Sequence, residues 1–265
     1  AEPLFMTDYI ATGSVDPERI AAVVSGIAKG CVLAGCALLG GETAEHPGLM
    51  APDEYDVAGA GTGVVEADEL LGPDRVQLGD VVIAMGASGL HSNGYSLARY
   101  VLLGESGPGL NAHIAELGRT VGEEMLEPTR VYSLDCLALA KAVPVHAYSH
   151  VTGGGLAANI ARVLPDTMAA DINRASWQPL PIFDLITRTG NVAQLESERT
   201  FNMGVGMVAL ISPGDADAAM RFLKERGIPA WICGEVRTRE AGEHGDAEAK
   251  GGKGGAVTLR GEYQR

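Results

Sequence analysis

Val81-Val82-Ile83-Ala84-Met85-Gly86-Ala87-Ser88-Gly89-Leu90-His91-Ser92-Asn93-Gly94-Tyr95-Ser96-Leu97 is the stretch on which the reading of the fold turns. Its first five residues are apolar without a break, the pattern of a strand covered on both faces. A Gly-Ala-Ser-Gly turn follows, and Leu97 and Val101 then continue at helical spacing. A strand that passes through glycines into a helix is the basic joint of an α/β protein. That geometry gathers main-chain N–H groups at the positive end of a helix dipole, which makes it a cradle for an anion.

Working outward, the same succession recurs. Residues 145–148 read as a strand, Gly153-Gly154-Gly155 as a turn, and Ile160 and Leu164 as a helix. Upstream, residues 4–9 form an apolar strand. Asp16-Pro17 supplies an N-cap and a proline at the first helical position. Ile20, Val23, Val24, Ile27 and Cys31 then predict a helix to about Cys36. Residues 37–39 read as a brief buried strand ending at Gly40-Gly41, and residues 57–65 as a strand at the centre of a sheet. Downstream, a helix is expected from Pro128 through Val131, Leu134, Leu137 and Leu139, and another over residues 182–189. Further strands are expected at 205–211, 231–236 and 256–259, with a helix over 215–226 that runs from acidic to basic, as its dipole favours. The Gly-, Glu- and Lys-rich residues 240–255 read as a mobile loop. The class is therefore α/β, or α+β in two layers, with no internal repeat. Leu71-Gly72-Pro73-Asp74 marks a boundary between residues 1–73 and 74–265.

Composition narrows the partners. The chain has 265 residues, 46% of them hydrophobic and 20% charged, and 36 are glycine, which is a folding composition rich in tight turns. Its net charge of −14, with no basic stripe, argues against nucleic acid and anionic lipid. If phosphates are handled, main-chain N–H groups and a divalent cation must neutralise them. Cys31, Cys36, Cys136 and Cys233 form no C-x-x-C pair and read as free thiols of a reducing cytosol. No apolar run is long enough to span a bilayer, and no leader pattern is seen, so a soluble cytoplasmic protein is expected. The chain opens directly into strand-like sequence without Met, which reads as an interior cut.

Four segments could carry chemistry. In Gly40-Gly41-Glu42-Thr43-Ala44-Glu45-His46-Pro47-Gly48, the glycines permit close approach of a ligand. Glu42 and Glu45 offer hard oxygen ligands for Mg²⁺, and Thr43 adds a hydroxyl; the competing reading is a helix N-terminus with acidic residues set for its dipole. In residues 88–96, Gly89, Ser92, Asn93 and Gly94 are candidate phosphate contacts, and His91 is a candidate proton shuttle; the competing reading is a capped helix with a surface histidine. Thr152, Gly153, Gly154 and Gly155 repeat the anion-cradle logic, with His150 as readily a core histidine as a catalytic one. In residues 199–207, Gly204 and Gly206 sit in a strand-like stretch where a ligand or another backbone comes close, and Arg199 and Asn202 could read polar groups. No Walker A, H-E-x-x-H or Ser/His/Asp order is present.

In this order the motifs resemble the aminoimidazole ribonucleotide synthetase (phosphoribosylformylglycinamidine cyclo-ligase) family. The resemblance is carried by residues 1–13, GGETAEHPG at 40–48, YDVAG at 55–59, SGLHSNGYSL at 88–97, EPTRVY at 127–132, HVTGGGLAANIARVLP at 150–165 and RTFNMGVGM at 199–207. It implies a two-domain fold of that family in which residues 1–73 are the remainder of an ATP-binding and dimerisation domain. Two subunits would pair these domains as a homodimer. It also implies ATP as co-substrate with Mg²⁺, formylglycinamidine ribonucleotide as substrate, and a carbon–nitrogen bond-forming ligase reaction of purine biosynthesis. By resemblance, Glu42 and Glu45 become metal ligands, with Gly41 and Thr43 beside them. Gly89, Ser92, Asn93, Gly94 and Thr152 to Gly155 become ATP or substrate-phosphate contacts, and His91 the acid–base side chain. The family has a further N-terminal segment with a Lys-bearing loop and a Gly-Thr-Asp-Gly-Val-Gly-Thr-Lys motif, which this sequence lacks. The expectation is therefore an incomplete N-terminal domain, with a non-catalytic binding module or another ATP-using enzyme of the superfamily as alternatives.

Overall fold

The computed structural model describes residues 1–249 and 251–264; Lys250, inside the expected loop, and Arg265 lie outside the described residues. Two compact units result, one of residues 1–70 with 131–138, the other of residues 71–130 with 139–265.

Unit 1 is a three-stranded sheet with one long helix. Strand β1 (Glu2–Thr12) lies in the middle, parallel to β2 (Ala37–Glu45) and antiparallel to β3 (Tyr55–Val64). Between β1 and β2 runs α1 (Pro17–Ala34). The Asp16 carboxylate accepts the Arg19 N–H at 3.1 Å, and Pro17 opens the first turn, so the expected capping is realised. The helix ends earlier than its spacing implied, because Gly35 takes the left-handed conformation at φ 71°. Two further expectations are corrected. The strand at residue 37 does not stop at Gly40-Gly41 but runs on to Glu45, held by its register with β1. And β3 is not central: it is an edge strand, exposed along its whole length. Its Gly- and Val-rich run carried the β signal, but no element of unit 1 covers it.

Unit 2 is built on a six-stranded sheet in the order β11 (Ala256–Arg260), β8 (Met168–Asn173), β10 (Ala230–Thr238), β4 (Val81–Gly86), β9 (Val205–Ile211), β7 (Val145–His150). Every pairing is antiparallel except β11 with β8. As expected, β4 is buried on both faces: Val82 and Ala84 join one core while Ile83 and Met85 are fully buried between them. The first core is closed by α5 (Gly155–Ala161), whose Leu156, Ala157 and Ile160 pack on Val208, Leu210 and Val257. The helix α8 (Ala216–Glu225) contacts β10. A second core gathers α2 (Tyr95–Leu103), α3 (Val121–Met125) and α6 (Pro181–Gly190) around Leu90, Phe183, Phe201 and Met203. A two-residue hairpin, β5 (His113–Ile114) with β6 (Arg119–Thr120), leads into α3.

Two more expectations change. The helix anticipated from Pro128 is α4 (Ser133–Ala142), and residues 128–130 are loop. A short helix, α7 (Gln194–Thr200), precedes β9 where the sequence had suggested no element. Residues 240–249 are pinned rather than loose. Arg237 grips Asp171 at 2.9 and 3.0 Å and Glu243 at 2.6 and 2.9 Å, each through two nitrogens. That guanidinium holds the Glu243 carboxyl down at about 2. The Asp246 carboxylate accepts the Leu259 N–H at 2.6 Å, and its carbonyl accepts from Arg199 at 3.1 Å.

Candidate active site

In unit 2 the turn after β4 does not stand alone. Ser88 is its first fixed point: its hydroxyl donates to the Pro128 carbonyl at 2.7 Å and accepts the Arg130 N–H at 3.0 Å. The Ser92 hydroxyl lies 3.2 Å from that of Thr129. Residues 128–130, read as the start of a helix, are thus the second wall of the 88–94 loop.

The third wall is the turn between α7 and β9. Asn202, only 4% exposed, donates to the carbonyls of Gly89 at 2.9 Å and Leu90 at 3.3 Å and accepts the Gly204 N–H at 2.8 Å. One buried amide therefore fixes two loops at once. A Cβ on Gly94 (φ 79°) would collide with the Phe201 ring, so that position is glycine for reasons of both conformation and space. Gly94 also sits at the N-cap of α2 and offers no side chain to cap it, which leaves the first turn of α2 suited to an outside acceptor.

The fourth wall is the turn after β7. Fully buried Asn159 of α5 donates to the carbonyls of Thr152 at 3.1 Å and Gly155 at 2.7 Å, and its own oxygen accepts the Thr152 hydroxyl at 3.1 Å. Gly153 comes so near Asn93 that a Cβ would stand 3.3 Å from its Oδ1. Gly155 is closed in by the Glu198 carbonyl. The helix α5 is short, so this turn contributes main-chain groups more than a dipole.

The sequence candidates of unit 2 therefore come together, with different accessibilities. Ser92, Asn93, Gly94, Thr152, Gly153 and Gly154 keep exposed or half-exposed surface, while Gly89, His91 and Gly155 are buried. His91 needs a change of role. It is 4% exposed, adopts φ 59°, and its Nε2 accepts the Ser88 N–H at 3.1 Å, so the neutral ring carries its proton on Nδ1. Burial, with the charges of His150 and Arg130, drives its pKa down to about 4. A ring so held is a brace of the loop and a poor general acid near neutrality. Arg130, half-buried, brings a cationic side chain near His91, and its Nε is buried without a hydrogen-bond partner. Sequence reading assigned no role to Arg130 or Asn159, since neither sits in a glycine turn.

The candidates of unit 1 lie on β2. Gly41 faces Asp8 closely enough that a Cβ would meet its carboxylate. Glu42 is exposed and Thr43 half-exposed. Glu42 and Glu45 are three residues apart on a strand, so their side chains leave by opposite faces. Glu45 is engaged with the Val15 N–H at 2.6 Å. As a pair they do not fit one shared ion. Among the described residues no group of three or more His, Cys, Asp or Glu is placed to hold a metal.

Residues 1–65 match the family model of the AIR synthase related protein N-terminal domain, and residues 77–246 that of its C-terminal domain. Fold and turns are thus those of the AIR synthase related class. A phosphoribosylformylglycinamidine cyclo-ligase of Anaeromyxobacter sp. (strain Fw109-5) is 52% identical over 244 residues, covering 91% of this chain and 70% of the relative. One of Brevibacillus brevis is 47% identical, covering 91% and 69%. The chain belongs to the phosphoribosylformylglycinamidine cyclo-ligase family. Its fold is also that of a solved thiamine-monophosphate kinase from Stenotrophomonas maltophilia K279a, with a TM-score of 0.66 at 19% identity over 100% of this chain and 74% of the other.

Proposed function

We propose that the protein closes the imidazole ring of formylglycinamidine ribonucleotide at the expense of ATP, releasing aminoimidazole ribonucleotide, ADP and phosphate in purine biosynthesis. Family membership supports the reaction. The observation that supports its placement is the convergence of residues 88–94, 128–130, 152–155 and 202–204, held together by Ser88, Asn202 and the close approach of Gly153 to Asn93, into one wall beside Arg130.

The chemistry explains why ATP is spent. An amide oxygen leaves poorly. Transfer of the γ-phosphoryl group to the formyl oxygen turns it into a phosphate, a far better leaving group. The amidine nitrogen then attacks the same carbon, the C–O bond breaks with release of phosphate, and loss of a proton yields the aromatic ring. In this reading Ser92, Asn93, Gly94, Thr152, Gly153 and Gly154 present hydrogen-bond donors to phosphate oxygens, and Arg130 supplies their counter-charge. Gly89, His91 and Gly155 keep the loops in shape. Within unit 1, Gly41 and Thr43 of β2 offer a close main-chain approach and a hydroxyl to a nucleotide. Glu42 is the carboxylate left for Mg²⁺, an ion that commonly arrives with phosphates and takes only one or two carboxylates. The uncovered face and edge of unit 1, with Tyr55, Val57 and Val64 at 40% exposure or more, suit a second copy of the chain in a homodimer. No helix among the described residues is long and apolar enough to cross a membrane; with four free thiols this agrees with a cytoplasmic setting.

Purified protein given Mg·ATP and formylglycinamidine ribonucleotide should yield aminoimidazole ribonucleotide, ADP and free phosphate in equal amounts. Phosphate retained on the organic product would make it a kinase, and no turnover would make it a binding module; either result overturns the reading. Arg130→Ala should lower kcat/KM by about 10- to 100-fold, as expected for loss of a charged hydrogen bond.

A further inference from the structure

The end of α1 brings two cysteines together by a main-chain device. The Cys36 N–H donates to the Cys31 carbonyl at 3.0 Å, and the Gly35 N–H to that of Val32 at 3.2 Å, with Gly35 left-handed at φ 71°. This is a Schellman cap, in which the side chains three residues before the turn glycine's helix end and one after it characteristically meet. Here those two positions are Cys31 and Cys36. The Cys31 thiol is buried and donates to the Met6 sulfur at 3.9 Å, while Cys36 is half-exposed; both are reduced. Burial, then the neighbouring Cys36 thiol and the Asp8 carboxylate, push the Cys31 thiol up in pKa.

We propose that Cys31 and Cys36 are a redox-active pair that peroxide converts to an intramolecular disulfide, locking α1 to the start of β2. The more exposed Cys36 is the first target: its thiolate attacks one peroxide oxygen, the O–O bond breaks, and a sulfenic acid and hydroxide form. The Cys31 thiol then attacks the Cys36 sulfur, loses its proton, and expels hydroxide, which leaves as water. Overall two thiols and one hydrogen peroxide give one disulfide and two waters. Burial pushes the Cys136 and Cys233 thiols up to about 12, and they serve as internal controls.

The test needs no enzyme activity and is independent of the proposed reaction. The folded protein is treated with graded hydrogen peroxide, denatured, alkylated and cleaved after Lys and Arg. Residues 30–75 should then come away as one peptide carrying both cysteines. The expected result is loss of both alkylations and of two hydrogens from that peptide, reversed by dithiothreitol, while Cys136 and Cys233 are still alkylated. Cys31→Ser should leave Cys36 accumulating as sulfenic acid, trapped by dimedone. The proposal is overturned if the wild-type peptide keeps both alkylations at peroxide levels that oxidise the unfolded chain, or if Cys36 goes on to sulfinic acid with Cys31 still alkylated.

Discussion

The strands β3 and β4 were both expected inside a sheet, and the protein treats them in opposite ways. In β4 every residue from Val82 to Gly86 is buried; in β3 every residue is exposed. The difference lies in what surrounds each strand. Unit 2 supplies sheet neighbours on both sides of β4 and helices over the faces, so hydrophobic burial is completed within the chain. Unit 1 has one long helix and the first part of α4 for three strands, and its buried side chains reduce to Ile10, Thr12, Cys31 and Tyr132 among the described residues. Apolar sequence is thus evidence of a covered surface, but not of what covers it.

The sharpest way to break this comparison is to replace one side chain in each strand. Ile83→Ala should cost about 3–4 kcal/mol by denaturant unfolding, since it opens a cavity in a closed core. An effect below about 1 kcal/mol would mean that unit 2 is not packed as described. The next effect is a pH dependence confined to unit 2. His91 has a folded pKa of about 4 against an ordinary 6.5, so the unfolded chain binds more protons between those values. Stability from this group is complete above pH 6.5 and is lost as pH falls toward 4, by at most about 3 kcal/mol. His91→Asn should flatten that limb of the melting profile. Asn202→Ala comes third, at about 2 kcal/mol, because two carbonyls and the Gly204 N–H lose their buried partner. It should also reduce kcat/KM, whereas an unchanged kcat/KM would separate this turn from the reaction. The smallest stability effect belongs to unit 1. Val57→Lys, at an exposed position of β3, should shift the melting point by less than about 0.5 kcal/mol equivalent. It should nevertheless convert a dimer to a monomer in light scattering. A dimer that persists would place the interface elsewhere.

Much of the site was legible because its parts are local. The glycines at 94 and 153–155 announce themselves through turns that only glycine makes easily, and the Asp16-Pro17 start of α1 through capping. What escaped reading depended on distance along the chain. Asn202 was noted as a possible reader of polar groups, yet the two carbonyls it donates to are more than a hundred residues away. Arg130 was hidden in what looked like a helix, because Pro128 resembles a first helical position as readily as a loop residue. His91 was read as a proton carrier, with a surface histidine as the competing reading; it is buried, and burial with the charges of His150 and Arg130 lowers its pKa. The carboxylates Glu42 and Glu45 looked like a pair until β2 was seen to continue, which sends alternate side chains to opposite faces.

By itself the amino-acid order determined the α/β class, the strand at 81–86, the glycine turns and the family, since each rests on spacing between near neighbours. Only the tertiary structure decided that β4 lies within a mostly antiparallel sheet, that four separate turns form one wall, and that β3 is left bare. Those outcomes depend on which distant surfaces meet, and backbone pairing and burial across the chain are not written in any local window.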